Sequence, residues 1–239
     1  MRKLIDTFLQ WRQLLLWAVL VGMQAAAVAQ TEPPSGTQAR IQIASPGKQL
    51  MVGDVIFIRV SALPFKKVAG TTMSWTNHVG IVADVSGKEP LIAESTFPLS
   101  RTTTWSRFVE RSERGRVAVG RLGQPLDQQQ RSKLAKAAAA RAGILYDTGF
   151  DLHSRGQFCS RYVREVLNDA TGIQLGQVES FSALLKNNPQ ADLSFWRVWY
   201  FGYIPWQRET VTPASLLNDA RLHIIFDGYA GTANSNNGD

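Results

Sequence analysis

Cys159 is the only cysteine among the 239 residues of the chain, and it stands in the segment QFCSRYVREVL. A thiol acts as a nucleophile when its pKa is lowered, when a base can accept its proton, and when both groups are held in place. Apolar residues after Cys159 recur at helical spacing and predict a helix over residues 159–170, ending at Gly172. In the first turn of that helix, unpaired backbone N–H groups and the helix dipole would favour the thiolate. The alternative is a buried thiol that serves only as a small apolar side chain.

Three histidines are candidates for the base, and His78 has the most suitable neighbours. It opens the segment HVGIVADV, which predicts a strand, and Gly80 leaves room there for a helix end to approach. His153 lies in a polar loop six residues before Cys159, whereas His223 lies in a predicted strand near the end of the chain. Taken alone, each of the three is more typical of a structural histidine, and His78 is the preferred candidate because of the residues around it.

The other segments predict an α+β fold in which an antiparallel sheet packs against a few helices. Strands are predicted in GDVIFIRVS from Gly53, in HVGIVADV and LIAES as a hairpin, and in RVAVGRL from Arg116. The aromatic segment FWRVWYFGYIPW, residues 195–206, is predicted to be a further strand. Its rings suit either the core or the lining of an apolar groove.

Helices are predicted by strong helix formers, capping residues, and glycines or prolines at their ends. One follows Asp127 and ends at Gly143, another begins at Cys159, and a third, SFSALLKNN, is closed by Pro189. A short helix after Pro213 precedes a last strand. This pattern places the nucleophile candidate at a helix N-terminus.

The first 29 residues are predicted to be a cleavable signal peptide. Arg2, Lys3 and Arg12 precede an apolar run that ends in a small-x-small pattern, which predicts a cut after Ala29. The run is short for a bilayer span of about 20 residues, and an uncleaved membrane anchor is the alternative. The mature protein is therefore expected in the periplasm or outside the cell.

The composition of the rest of the chain predicts three parts: a linker, a folded domain and a tail. Residues 30–49 are rich in Pro, Ser, Gly and Gln and predict a flexible linker. Residues 50–228 are predicted to form one folded domain, and residues 229–239 a disordered tail. Hydrophobic residues make up 44% of the chain, which is enough for a sizeable core.

The chain is basic, with a formal net charge of +7 that falls to +5 when residues 1–29 are removed. Six arginines lie between Arg101 and Arg121. They suit an anionic partner such as cell wall or lipid head groups, although a solvated basic surface is the more common meaning of such a run. Export argues against a nucleic-acid partner. The sequence has no glycine-rich phosphate loop and no metal-ligand cluster, so neither cofactor nor metal is expected.

Five segments occur in the order typical of permuted papain-like amidases of the YiiX type. They are GDVIFIRV, NHVGIVADV, LIAES, YDTGFDLHSRGQFCSRYVREVL and VTPASLLND. From about Gly53 to Asp227 the chain therefore resembles these amidases, which belong to the NlpC-type cysteine peptidase superfamily. They are related to lecithin–retinol acyltransferase-like enzymes. The order of histidine before cysteine distinguishes this group from papain.

The resemblance implies a circularly permuted papain-like fold and a role for three residues. Cys159 matches the nucleophile, His78 the general base, and Glu94 the third polar residue. A carboxylate on one ring nitrogen of the imidazole orients it and leaves the other nitrogen free to accept the thiol proton. Asp84 and Asp54 are alternative carboxylates, although turn or capping roles are more typical of each.

The length of the predicted hairpin loop decides where Glu94 lies. A loop of about six residues, Asp84 to Glu89, would place Glu94 opposite Val79, beside His78. A tight two-residue turn would place it opposite Ile81, too far along the strand. The proposed role of Glu94 therefore requires the longer loop.

The chain departs from its relatives after the Cys-Ser pair, where many of them carry an acidic residue and this chain has Arg161. Such a change could alter the preference for substrate charge. Tyr146 and Asp147 match a tyrosine–aspartate pair before the nucleophile, to which the sequence assigns no chemistry.

The activity that follows from these residues is thiol-dependent hydrolysis through an acyl-enzyme. Amide or acyl compounds of the cell envelope, such as peptidoglycan peptides or lipid-linked acyl groups, are the expected substrates. Thioester hydrolysis or acyl transfer would use the same steps. The alternatives are a non-catalytic module that binds envelope material and, if the N-terminus is retained, an anchored structural protein. The sequence does not indicate the oligomeric state.

Overall fold

The computed structural model describes residues 46–230. The predicted signal peptide, most of the predicted linker and residues 231–239 lie outside the described residues. A 3-10 helix, Pro46–Gln49, occupies the end of the predicted linker. Across the described range, no helix is long and apolar enough to span a membrane.

Eight strands in the described range form two antiparallel sheets. The strands are β1 (Val55–Val60), β2 (His78–Asp84), β3 (Leu91–Glu94), β4 (Arg101–Thr104), β5 (Ser112–Leu122), β6 (Val178–Ser180), β7 (Glu209–Val211) and β8 (Leu222–Tyr229). The main sheet has the order β4-β3-β2-β1-β5-β8, and β6 pairs with β7 in the small second sheet. The predicted hairpin of β2 and β3 is confirmed.

Seven α-helices accompany the sheets between residues 46 and 230. They are α1 (Leu63–Thr71), α2 (Trp105–Glu110), α3 (Gln128–Ala140), α4 (Cys159–Thr171), α5 (Phe181–Asn187), α6 (Leu193–Trp199) and α7 (Pro213–Leu217). At the start of α3, Asp127 and Gln130 form a reciprocal capping box. Gly172 ends α4 with a φ of 78°, which glycine adopts without steric cost.

The two faces of the main sheet are covered by different helices. The larger core lies where α3 and α4 cover one face, which presents Phe57, Val79 and Ile81. The opposite face presents Ile58 and is covered by α2 through Phe108. Each of these side chains is fully buried, and burial of one such side chain contributes roughly 1.5–3 kcal/mol. The mixed α+β architecture expected from the sequence is confirmed.

The aromatic segment 195–206 is not a strand, contrary to the prediction. Most of its first half belongs to α6, whose start is capped by the carboxylate of Asp192. Within and just after α6 the rings stack in pairs four residues apart, as helical geometry allows: Phe195 with Trp199, and Trp196 with Tyr200. Elsewhere, α1 and α2 lie outside the predicted helices, and β8 extends to Tyr229, the first residue of the predicted tail.

Candidate active site

α4 presents Cys159 as its first residue. The preceding Phe158 is the N-cap residue, has extended backbone angles, and supplies no side-chain hydrogen bond to the first turn. The Phe158 side chain therefore leaves the first N–H groups of α4 uncapped, and Cys159 lies among them. Cys159 is only 3% exposed and packs in the core between α4 and the sheet.

β2 begins at His78, whose side chain is fully buried. Its Nε2 lies 2.6 Å from Oε2 of Glu94, which is also fully buried. Nδ1 has no partner of ordinary hydrogen-bond geometry among the described residues. The Cys159 thiol lies close enough to the imidazole to change its protonation. The structure thus brings together the three side chains to which the resemblance gives catalytic roles.

The protonation of His78 is set by opposing effects. Burial lowers the pKa of His78, because it penalises the charged imidazolium. Contact with the Cys159 sulfur, followed by contact with Glu94, outweighs burial and raises the pKa from 6.5 to about 9. The imidazole is therefore protonated at neutral pH and holds a proton beside the sulfur.

Two arginines also bind the Glu94 carboxylate. Nη2 of Arg111, the C-cap residue that follows α2, donates to both oxygens of Glu94 at 2.8 and 2.7 Å. Nε of Arg101, on β4, lies 3.3 Å from Oε1. Burial raises the pKa of Glu94, but His78 and then Arg111 outweigh it and lower the pKa to about 2. Glu94 is consequently an anion at any physiological pH.

Aromatic rings from two helices fix the imidazole in place. The ring centroids of Phe65 and Phe108 lie 5.9 and 5.7 Å from that of His78. Phe108 also covers Gly80, where a Cβ atom would lie 2.8 Å from its ring and 2.7 Å from Ile92. The space that Gly80 leaves is therefore filled by Phe108 of α2, and not by the start of α4.

A β-bulge lies between the hairpin loop and the histidine. The loop itself spans six residues, 85–90, which is the expected length, but it lies one residue later than the expected loop at 84–89. Ala83 is the extra residue on β2, since Asp84 pairs with Leu91 while Val82 pairs with Ile92. The bulge shifts the pairing of β2 with β3 by one residue.

This shift determines which face of the sheet carries Glu94. Beyond the bulge, the register places Glu94 opposite Gly80. Residues directly opposite each other on paired strands lie on the same face of the sheet, and so do residues two positions apart on one strand. Glu94 therefore shares a face with Gly80, and Gly80 shares it with His78. Both predicted pairings of Glu94, with Val79 or with Ile81, are wrong. Either of them would turn the carboxylate to the other face of the sheet.

Tyr146 lies against Cys159, although its position in the sequence indicates no role. Its hydroxyl is buried, lacks a partner of ordinary hydrogen-bond geometry in the described range, and lies near the thiol and the backbone N–H of Cys159. Burial, followed by the charge of the Cys159 sulfur, raises the pKa of Tyr146 well above 10, so the hydroxyl keeps its proton. A protonated hydroxyl and a backbone N–H beside a nucleophile are suitable donors to an oxyanion.

The loop that carries Tyr146 is tied to the segment before Cys159. Tyr146 forms a parallel bridge with Gln157, and the Ser95 hydroxyl donates to the Gln157 carbonyl at 2.9 Å. The Asp147 carboxylate accepts three hydrogen bonds from within the loop, from the N–H groups of Gly149 and Asp151 and from the Ser154 hydroxyl. The aspartate of the tyrosine–aspartate pair therefore organises the loop that positions the tyrosine.

Arg161, in the first turn of α4, binds the same loop and does not face an open surface. Its guanidinium donates to the carbonyl oxygens of Ser154 and Gly156, each at 2.9 Å, and to Glu165 at 2.7 Å. The Arg161 side chain is 15% exposed. Its charge is thus balanced within the fold by Glu165.

The other candidate residues of the sequence have partners elsewhere. Asp54 binds Arg121 at 2.7 Å, the Asp84 carboxylate accepts from Ser86 in the hairpin loop, His153 lies 2.8 Å from Glu209, and His223 is exposed on β8.

An apolar slot of about 40 Å³ lies beside Cys159. Its walls include Phe65, Phe150, Phe158, Phe181, Trp196 and Val211. This volume holds little more than a water molecule, so a larger group enters only if the lining moves. Trp196 brings one ring of the aromatic segment into the wall, as the sequence suggested for an apolar groove.

The arrangement of these parts defines a class of protein. An antiparallel sheet carries the histidine and the carboxylate early in the chain, and a later helix carries the cysteine. In papain the cysteine comes before the histidine, so this chain has the permuted order. The sequence model of the family described as "Permuted papain-like amidase enzyme, YaeF/YiiX, C92 family" matches residues 49–226. The chain belongs to this family, and the family supports a hydrolase or amidase role.

Two relatives from Escherichia coli are similar to the chain. Uncharacterized protein YiiX of strain K12 is 25% identical over 177 residues, covering 74% of this chain and 86% of that protein. The crystal structure of metalloprotein YiiX from strain O157:H7 has a TM-score of 0.70 at 24% identity, covering 76% of this chain and 99% of that one. The second likeness shows a shared fold. In the described part of this chain, no group of three or more His, Cys, Asp or Glu side chains has an arrangement that could hold a metal ion.

Proposed function

We propose that the protein is a thiol-dependent amide hydrolase that works through an acyl-enzyme. In this proposal Cys159 is the nucleophile, His78 is the acid and base, and Glu94 orients the imidazole. The observation that carries the proposal is the buried 2.6 Å contact of His78 with Glu94, with the Cys159 thiol near the same imidazole. An ion pair so deeply buried costs solvation energy, and a catalytic role gives a reason for it.

In the first half of the reaction, the Cys159 sulfur attacks the carbonyl carbon of the substrate. A carbon–sulfur bond forms, and the carbonyl electron pair moves to the oxygen. His78 then gives its proton to the amide nitrogen, the carbon–nitrogen bond breaks, and the amine leaves. The raised pKa of His78 suits this step, because the imidazole starts the reaction with the proton that the leaving group needs.

In the second half, His78 takes a proton from water, and the water oxygen attacks the acyl carbon. The carbon–sulfur bond breaks with its electron pair going to sulfur, and the acid is released. The proton taken from water stays on the imidazole, which restores the starting sulfur–imidazolium pair. An alcohol or amine in place of water would give acyl transfer by the same steps. Glu94 keeps the imidazole in one orientation throughout, since Arg111 holds both of its oxygens.

Substrate class and location extend the proposal. The apolar lining of the slot supports a substrate with an apolar group next to the bond that is cleaved. We place the enzyme in the periplasm or outside the cell, where amide or acyl compounds of the envelope meet it. The basic surface would allow contact with a membrane or cell wall.

Alkylation of Cys159 by iodoacetamide tests the central pair without knowledge of the substrate. We expect the wild-type protein to react at pH 7 about tenfold faster than His78→Ala, because an adjacent imidazolium stabilises the reactive thiolate. Mass spectrometry of the intact protein gives both rates. His153→Ala is the matched control, since His153 is exposed and bound to Glu209, and it should leave the rate unchanged. Equal rates in all three proteins would show that Cys159 is a structural thiol.

Tyr146→Phe removes only the hydroxyl that faces Cys159. On an N-acyl amide that the wild type hydrolyses, we expect kcat to fall roughly 10- to 100-fold while KM stays within about twofold, because an oxyanion donor acts in the transition state. Tyr162→Phe is the matched control, since that buried hydroxyl donates to the Ala138 carbonyl instead. A loss of kcat of equal size in both variants would assign Tyr146 to packing alone.

A further inference from the structure

A second and much larger cavity lies next to the apolar slot. Its volume is about 570 Å³, within the range of ligand-binding pockets, whereas the slot holds about 40 Å³. The two share four lining residues: Thr71, Thr72, Leu184 and Thr212. The large cavity is therefore continuous with the wall of the slot at Cys159, and it offers room that the slot does not.

Most polar groups around the large cavity already have partners. Thr212 and Ser215 satisfy each other in the capping box of α7. The Asp219 carboxylate binds the Arg221 guanidinium through both oxygens. This contact and the backbone N–H donors of Arg221 and Gly176 outweigh burial and hold the pKa of Asp219 well below its usual range. These groups hold the walls together and have no charge left to bind a ligand.

Glu179 is the exception among the charged residues of the cavity. It is half-buried on β6, and its carboxylate has no hydrogen bond or ion pair with any residue from 46 to 230. Burial alone raises the pKa of Glu179. Glu179 pairs across the small sheet with Thr210, which lines the apolar slot. The unpaired carboxylate thus stands one strand away from the slot that contains the nucleophile.

We propose that the large cavity binds a positively charged part of the substrate, an ammonium or guanidinium group, and that Glu179 is its counter-charge. The inference rests on the proposed function, because it assigns the cavity to the substrate of Cys159. A partly desolvated carboxylate gains most from a cationic donor, since such a hydrogen bond is stronger than one to a neutral group. The substrate would then combine an apolar group at the slot with a cation in the large cavity.

Binding to the full chain carrying Cys159→Ala tests the proposal without turnover. The probes are N-octanoyl-lysinamide and N-octanoyl-norleucinamide, which share an apolar chain and differ in the terminal ammonium group. We expect the lysinamide to bind about tenfold more tightly by isothermal titration calorimetry. Adding Glu179→Gln should reduce that preference to within about twofold and leave the affinity for the norleucinamide unchanged.

Glu110→Gln is the matched control, because it removes the same charge from an exposed position on α2 outside the cavity. The proposal is overturned if the preference survives Glu179→Gln, if Glu110→Gln removes it equally, or if the lysinamide fails to bind at about 10 mM. Because binding requires no catalysis, a preference that depends on Glu179 would stand even if the alkylation experiment refuted the hydrolase.

Discussion

In an NMR titration of the histidine ring carbons, the signal of His78 is expected to change at about pH 9 in the wild-type protein. In Cys159→Ala the pKa of His78 should fall by roughly 1 to 3 units, because the sulfur that stabilises the imidazolium is gone while the burial remains. This is a tenfold to thousandfold change in acidity. The signal is identified by its absence from the spectrum of His78→Gln.

The signals of His153 and His223 serve as internal references, since both residues are exposed and lie outside the site. They should be identical in the two proteins. A His78 signal that titrates near 6.5 in both would contradict the sulfur–imidazole contact on which the proposed mechanism depends. For the wild type, the pKa of His78 also determines whether hydrolysis is lost at high or at low pH. The proton on His78 is present below about pH 9, so activity should be lost as the pH rises through that value.

Arg111→Met is expected to lower the free energy of unfolding by about 3 kcal/mol at pH 7, because it removes the guanidinium that binds both oxygens of the fully buried Glu94. The corresponding fall in melting temperature is about 6–12 °C for a domain of this size. Calorimetry measures both quantities. Arg107→Met is the matched control, since Arg107 is exposed on the same helix and makes no ion pair with the described residues. Equal melting temperatures for the two variants would show that the ion pair of Arg111 adds no stability.

The same variant should move acid unfolding to higher pH. In the wild type the pKa of Glu94 is lowered from 4.5 to about 2, so its stabilising contribution is complete above pH 4.5 and is lost as the pH falls through about 2. Without Arg111 the pKa of Glu94 rises, and the loss begins at less acid pH. An acid transition at the wild-type pH would mean that His78 alone keeps Glu94 ionised.

Local signals in the sequence predict the parts of the structure that depend on local interactions. The helix after Cys159 follows from apolar spacing and from Gly172, and the start of α3 follows from the capping carboxylate of Asp127. The prediction for the aromatic segment 195–206 is wrong because aromatic and β-branched residues individually favour strands. Two features of the segment favour a helix: Asp192 as a capping residue and aromatic rings spaced four residues apart. The packing of these rings in α6 outweighs the strand propensity of the single residues.

The rest of the site depends on contacts between distant segments. Arg111 stands in a run of arginines that is typical of a solvated surface, and only the packing of α2 over the sheet brings it to Glu94. Tyr146 reaches Cys159 because its loop is bridged to the segment that enters α4. No pattern within either segment encodes these contacts. The sequence and its resemblance to the family therefore indicate Cys159, His78 and Glu94 as candidates, but not the groups that surround them.

The bulge at Ala83 has a consequence for changes in the length of the chain. Residues added to or removed from the loop at 85–90 alter only the connection, provided that Asp84 still meets Leu91. Deleting Ala83 would remove the bulge and keep the pairing, because Val82 would then directly precede Asp84 and still lie opposite Ile92. Deleting Ala93 is a different event, because Glu94 would then follow Ile92 and lie opposite Ile81, on the other face of the sheet. The site is therefore specified by the number of paired residues between the bulge and Glu94 as well as by residue identity, and an alignment gap inside β3 has a different meaning from one at the bulge or in the loop.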